Sequence, residues 1–175
     1  MYEVTLLSIE EEVVQSINEN RLNVTYFPNV KLSRNLKAST NIEILSDADI
    51  IFMAIPSTAV VDYLFENKKY LNPRAIIVNL AKGFGKEDRL IPDCVKDFLV
   101  NPILTMKGPS FARELINRQE TGFTLAAYTN EYFNEVADLF ENTNICFDYS
   151  NDMNGVEYAS ILKNIYAIII GMLDA

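Results

Sequence analysis

The chain has 175 residues, 49% of them hydrophobic, which is enough to bury a core of ordinary single-domain size and excludes a disordered polymer. Acidic residues outnumber basic ones by 24 to 15, for a formal net charge of -9, and no Lys/Arg cluster supplies the phosphate contacts of a nucleic-acid binder, so DNA, RNA and anionic membrane surfaces are not expected partners. Two cysteines, Cys94 and Cys146, and no histidine at all exclude a Cys/His zinc site and any imidazole base, which leaves proton chemistry to Lys, a carboxylate, Tyr or Cys and predicts no metal.

The opening MYEVTLLSIEEEV has no basic segment ahead of its apolar stretch and turns acidic at once, so it does not read as a secretory leader. Blocks rich in β-branched residues at 3–9, 50–55, 75–81, 103–106, 123–128 and 145–149 predict strands, separated by segments of helical period. That alternation predicts an α/β fold with a largely parallel sheet covered by helices. Residues 23–40, NVTYFPNVKLSRNLKAST, are the least periodic and predict a loop with one short strand.

The blocks at 50–55, 75–81 and 103–106 run almost unbroken in apolar residues, as strands buried on both faces do, and each meets a turn residue: Pro56, Gly83, and Gly108 with Pro109. Ligands of such sheets bind outside the carboxyl ends of the strands, which directs attention to Pro56-Ser57, Lys82-Gly83 and Gly108-Pro109-Ser110. In KGPSFARE the Gly-Pro-Ser run predicts close backbone access and free N–H groups at a helix start that carries Ser110 and Ala112, although the same residues are good capping chemistry by themselves. Lys82, read alone, is equally an ordinary strand-to-helix turn.

From Asn154 the pattern predicts one long helix to Asp174, with Asn154 as its cap, Glu157 three residues later as in a capping box, and no breaker before Gly171. On a helical wheel Lys163, Ala167, Ser160, Gly171 and Asn164 share one narrow arc while Ile161, Ile165, Ile168, Ile169 and Met172 fill the remainder. A solvated face with its lysine stem along the surface explains Lys163, but such a face usually carries several charges. A lysine partly withdrawn from water loses preference for its charged form and becomes suited to exchanging a proton. The run at 161–173 is interrupted by Lys163 and Asn164 and falls short of the roughly 20 residues a bilayer needs, so no membrane span and a cytoplasmic protein are expected.

Five motifs in register carry a resemblance over nearly the whole chain: Ile17-Asn18 with Arg21, Asn23, Tyr26 and Pro28; Ala48 to Ser57; Lys82-Gly83; Gly108 to Glu114 as G-P-S-F-A-x-E; and Gly155-Val156-Glu157 through Leu162-Lys163-Asn164. In these the chain resembles the NAD(P)-dependent glycerol-3-phosphate dehydrogenases. The resemblance implies an incomplete Rossmann-like doubly wound sheet at 1–150, followed by the first helix of an all-α substrate domain at 151–175. It also implies interconversion of glycerol 3-phosphate and dihydroxyacetone phosphate with NAD, or NADP, as cofactor. Lys163 resembles the family's catalytic lysine and Lys82 its lysine near both substrate and nicotinamide. Gly108 and Ser110 resemble substrate contacts, and Ala112 a backbone contact to cofactor.

The chain opens at what resembles the family's second strand, so the first strand and the G-x-G-x-x-G loop are not found in it, and it ends about one helix into the helical domain. The family's basic residue is not found near Ser8, Ile9 and Glu10, which disfavours NADP. A sheet without a central strand has open edges, and a long helix without partners has bare apolar sides, so self-association into a homo-oligomer is expected. Two other readings are a non-catalytic derivative that serves as a binding or oligomerisation module, and a relative that acts on a hydroxyacid.

Overall fold

The computed structural model of the chain describes residues 2–173, which fall into two compact units that divide between Ser46 and Asp47. The first unit is a strand–helix–strand: β1 (Val4–Leu7), α1 (Glu11–Asn20) and β2 (Leu36–Ser39). β2 is the one short strand of the aperiodic 23–40 segment, and it pairs parallel to β1 from Val4 opposite Leu36 to Leu7 opposite Ser39. Val13 and Ile17, four apart on α1, pack on Ala38 with Val14, Leu32 and Leu36 around them.

Asn18 performs a backbone's work at this point. Its side-chain amide donates to Ala38 O at 2.9 Å and accepts from Ala38 N at 2.9 Å, so it pairs with β2 as another strand would. The helix ends at Arg21 in the left-handed conformation with φ of 57°, its N–H bonded to Ile17 O, and Ser16 Oγ donates to Leu22 O at 2.7 Å.

The second unit continues with β3 (Ile50–Met53), α2 (Ser57–Asn67), β4 (Ile76–Asn79), α3 (Ile91–Lys96), β5 (Ile103–Lys107), α4 (Ala112–Ile116), β6 (Thr121–Ala126), α5 (Phe133–Ala137), β7 (Ile145–Ser150) and α6 (Met153–Leu173). One sheet runs in the order β3-β4-β5-β6-β7. β3, β4 and β5 are mutually parallel, β6 is antiparallel to β5, and β7 is parallel to β6. Every residue of β4 and β5 is buried, as the unbroken apolar runs predict. Alternate residues Ile76 and Val78, then Leu104 and Met106, form one core with Leu125, Phe133, Val136 and Met153. Ile77, Asn79, Ile103, Thr105 and Lys107 point to the opposite pleat.

Two local expectations are corrected. The cap of α6 is Asp152, whose Oδ1 accepts from Gly155 N at 2.8 Å, and Asn154 lies inside the helix with Glu157 buried rather than in a capping box. α4 begins at Ala112, so Ser110 precedes it, and Phe111 N donates to Glu114 Oε2 at 3.2 Å. Asp174, the sequence-based end of α6, and the side chain of Asn164 lie outside the described residues. No single helix among the described residues is long and apolar enough to cross a membrane, and the two parts of α6 meet at 42°.

The wheel of α6 is turned inside out. Glu157 and Ser160, from the polar side, are buried, whereas Ile165, Ile168 and Ile170 are exposed and Met172 and Leu173 reach 75% and 81% exposure.

Because the Asn18 amide bonds both backbone groups of buried Ala38, Asn18→Ala is expected to destabilise the chain by about 1–3 kcal/mol. Urea unfolding followed by circular dichroism measures this, and a change within error shows that water replaces the amide.

Candidate active site

The carboxyl ends of β3, β4 and β5 deliver the segments that sequence reading singled out. Ser57 opens α2 directly after the β3 turn, and it meets Gly83 beyond β4: a Cβ added at Gly83 falls 2.2 Å from Ser57 Oγ and 2.8 Å from Ser57 Cβ. Glycine at 83 is therefore a condition for the two strand ends to approach. Gly108 answers to a similar constraint on the other side, since a Cβ there falls 2.4 Å from the Gly122 carbonyl oxygen of antiparallel β6.

Lys82 Nζ lies 3.5 Å from Gly108 O, a long contact that bridges the ends of β4 and β5. Burial of the ammonium end and repulsion from Lys163 both hold Lys82 below the ordinary lysine range. Lys163 comes from α6, half-buried, with Nζ 5.1 Å from the centre of the Phe111 ring. The fold thus brings Lys82, Gly108 and Lys163 together. Ser110 and Ala112 flank Phe111 in the chain, Ala112 exposed, and neither makes a side-chain hydrogen bond to the two lysines among the described residues.

Beneath these residues lies a buried polar cluster that sequence reading missed. Glu157, 0% exposed, presents Oε1 to Asn79 Nδ2 at 2.8 Å, to the Thr105 hydroxyl and to Lys107 Nζ at 3.3 Å. Lys107, 4% exposed, also donates to the carbonyl of Ala81, the residue before Lys82. Asn79 Oδ1 in turn accepts from Ala81 N at 3.1 Å. Burial pushes the Lys107 ammonium below its usual range, against the opposing pull of Glu157, and Lys82 adds to the lowering. Glu157 Oε2 is buried with no partner among the described residues. The signal was present in the strand period: Thr105 and Lys107 are two apart, and Asn79 stands opposite Thr105 in the register of β4 and β5.

Among the described residues no group of His, Cys, Asp and Glu is disposed to hold a metal ion. The donor chemistry at the strand ends is that of an electron-rich ligand. Lys82 and Lys163 are ammonium groups with no carboxylate partner among the described residues, and a hydroxyl, Ser57, stands at the neighbouring turn. These residues fit the reactive end of a nicotinamide cofactor, while no G-x-G-x-x-G loop occurs in the sequence to take its pyrophosphate.

A mostly parallel sheet with its polar groups gathered at the carboxyl ends of the strands is the Rossmann-like arrangement. The model of the NAD-dependent glycerol-3-phosphate dehydrogenase N-terminus matches residues 1–133, and the chain belongs to that family. It is 34% identical to the glycerol-3-phosphate dehydrogenase (NAD(P)+) of Bacillus licheniformis over 99% of this chain and 52% of that protein. It is 35% identical to the corresponding Leptospira biflexa enzyme, over 99% of this chain and 54% of that one. The chain therefore spans about half the length of the curated relatives it matches. Among solved structures, glycerol-3-phosphate dehydrogenase from Coxiella burnetii superposes with a TM-score of 0.89 at 27% identity, over 98% of this chain and 54% of that one. A ketopantoate reductase of the PanE/ApbA family from Ralstonia eutropha shares the fold at a TM-score of 0.68 and 16% identity, covering 93% of this chain and 53% of that one.

Gly83→Ala is expected to cost about 1–3 kcal/mol through the clash with Ser57. Adding Ser57→Gly removes both clashing atoms, so the double variant is expected to regain part of the loss in a denaturant cycle. Strict additivity of the two substitutions rules out the contact as the cause.

Proposed function

We propose that the chain is the catalytic-lysine-bearing part of a glycerol-3-phosphate dehydrogenase. The reaction is sn-glycerol 3-phosphate plus NAD(P)+ to dihydroxyacetone phosphate, NAD(P)H and a proton, a step of glycerol phosphate and glycerophospholipid metabolism. One observation carries the reading: Lys82 and Lys163 converge at the carboxyl ends of parallel strands with no carboxylate among the described residues to neutralise either.

In this reading Lys163 is the acid/base and exchanges its proton with the substrate's C2 oxygen. Lys82, whose depressed pKa reflects burial and Lys163, holds that oxygen by donating a hydrogen bond and keeps positive charge where electron density gathers on it. The backbone at Gly108 and Ser110 lines the substrate, and Lys82 with the Ala112 backbone lies toward the cofactor. A bound nicotinamide supplies the hydride acceptor or donor. Residues 1–150 serve the dinucleotide and 151–175 begin the substrate domain, with NAD favoured over NADP because Ser8, Ile9 and Glu10 offer no cation to a 2′-phosphate.

In an assay of NADH oxidation with dihydroxyacetone phosphate, Lys163→Ala is expected to lower kcat by about 10²–10⁴-fold relative to the native chain. Equal rates remove this lysine from the mechanism.

The reading includes a homo-oligomer, supported by the exposed apolar second half of α6, where Ile165, Tyr166, Ile168, Ile169, Ile170 and Met172 are open to solvent. Sedimentation velocity at micromolar concentration is expected to show species larger than the monomer. A single monomer boundary overturns that part of the reading.

A further inference from the structure

The buried pair Lys107–Glu157 does more than fill a core, because of what its atoms hold. Lys107 ends β5 and is followed by Gly108. Its ammonium donates to the carbonyl of Ala81, which is followed by Lys82. Its ionic partner Glu157 stands on α6, the helix that carries Lys163. Three elements that each contribute one member of the candidate site thus meet on one ammonium group.

Glu157 strengthens the junction from the other side. The same oxygen that faces Lys107 also receives Asn79 of β4 and Thr105 of β5, at registered positions on adjacent strands. A surface lysine at 107 could swing through its rotamers, but one that is 4% exposed with two buried acceptors cannot. The junction therefore fixes where the Lys82 and Lys163 backbones sit relative to each other.

We propose that Lys107 and Glu157 form a positioning pair that sets the separation of Lys82 and Lys163, a role that rests on the reading of those two lysines as site residues. Neither Lys107 nor Glu157 touches the reacting atoms in this assignment. Their effect is transmitted through the Ala81–Lys82 and Lys107–Gly108 peptide links and through the α6 backbone.

The charged groups around Lys82 are Lys163 of α6 and Lys107 of β5, and those around Lys107 are Glu157 of α6 and Lys82 at the end of β4. Replacing both members of the pair, Lys107→Met with Glu157→Gln, removes one positive and one negative charge and preserves shape. The net charge near Lys82 is then unchanged, and a rise in its titration reports displacement of Lys82 from the buried position beside Lys163 that holds it down. In Glu157→Gln alone, loss of an anion can only lower the Lys82 titration, or leave it where it is if Lys107 also becomes neutral. A rise in that variant too is the mark of displacement.

The experiment is competitive acetylation of the full chain across a pH series, with the Lys82 and Lys163 peptides quantified by mass spectrometry. It requires neither turnover nor cofactor. In both folded variants, checked by circular dichroism, the Lys82 midpoint is expected to move up toward the ordinary lysine range, with acetylation near neutral pH falling about threefold or more. An unchanged or lowered Lys82 midpoint in whichever of the two variants folds overturns the proposal. The dehydrogenase assay of Lys163→Ala stands apart. A Lys82 shift with no effect of Lys163→Ala on turnover leaves the positioning role intact and sinks the catalytic one, and the converse pair of results does the reverse.

Discussion

One carboxylate oxygen, Oε1 of Glu157, organises the polar interior of the larger unit. It accepts from Asn79, from Thr105 and from Lys107, all taken from the pleat opposite the apolar core. Removing two charges from water costs several kcal/mol for each ion, and only close geometry with additional donors offsets it. The arrangement is consequently demanding: loss of either charge strands the other in a dry interior at a cost of about 3–5 kcal/mol. A structure that must meet these terms cannot let β4, β5 and α6 slide past one another. At the same strand ends Gly83 meets Ser57 closely and Lys82 comes within reach of the Gly108 carbonyl.

The same constraint explains the orientation of α6. A surface helix ordinarily turns its apolar stripe inward, because burial of such side chains stabilises by about 25 cal/mol per Å². Here the first half of α6 turns Glu157 and Ser160 inward, and the second half leaves isoleucines in solvent. The buried polar cluster fixes the helix rotation, and Lys163, six residues beyond Glu157, is carried to the strand ends with it. Exposure of the distal apolar side chains is the accompanying penalty within this unit, and it creates a patch of the kind that favours association.

The central strands were legible because residues buried on both faces give unbroken apolar runs, and turn residues follow them at their carboxyl ends. The reversal of β6 was not, since FTLAAY carries the same pattern whichever way it runs. Lys82 and Lys163 stand within motifs in register, whereas Lys107 lies one residue ahead of the Gly108–Glu114 motif and has no such signal. Glu157 was misread for a definite reason. Its spacing from Asn154 satisfied a local capping rule, but Asp152 begins the helix two residues earlier, and the true partners of Glu157 lie 52 and 78 residues away on other strands. A local rule had no access to a contact made only when the sheet has formed.

Charge at the strand ends also runs against the composition as a whole. The chain has a formal net charge of -9, yet the cluster joins Lys82, Lys107 and Lys163 to the single carboxylate of Glu157. The two ammonium groups left over repel each other, and burial together with that repulsion holds Lys82 below the ordinary lysine range. Like charges held this way by a stiff framework store an unfavourable energy that a ligand of opposite charge or high electron density relieves on arrival. The acidic excess of the chain as a whole sets this local positive charge against a negative background.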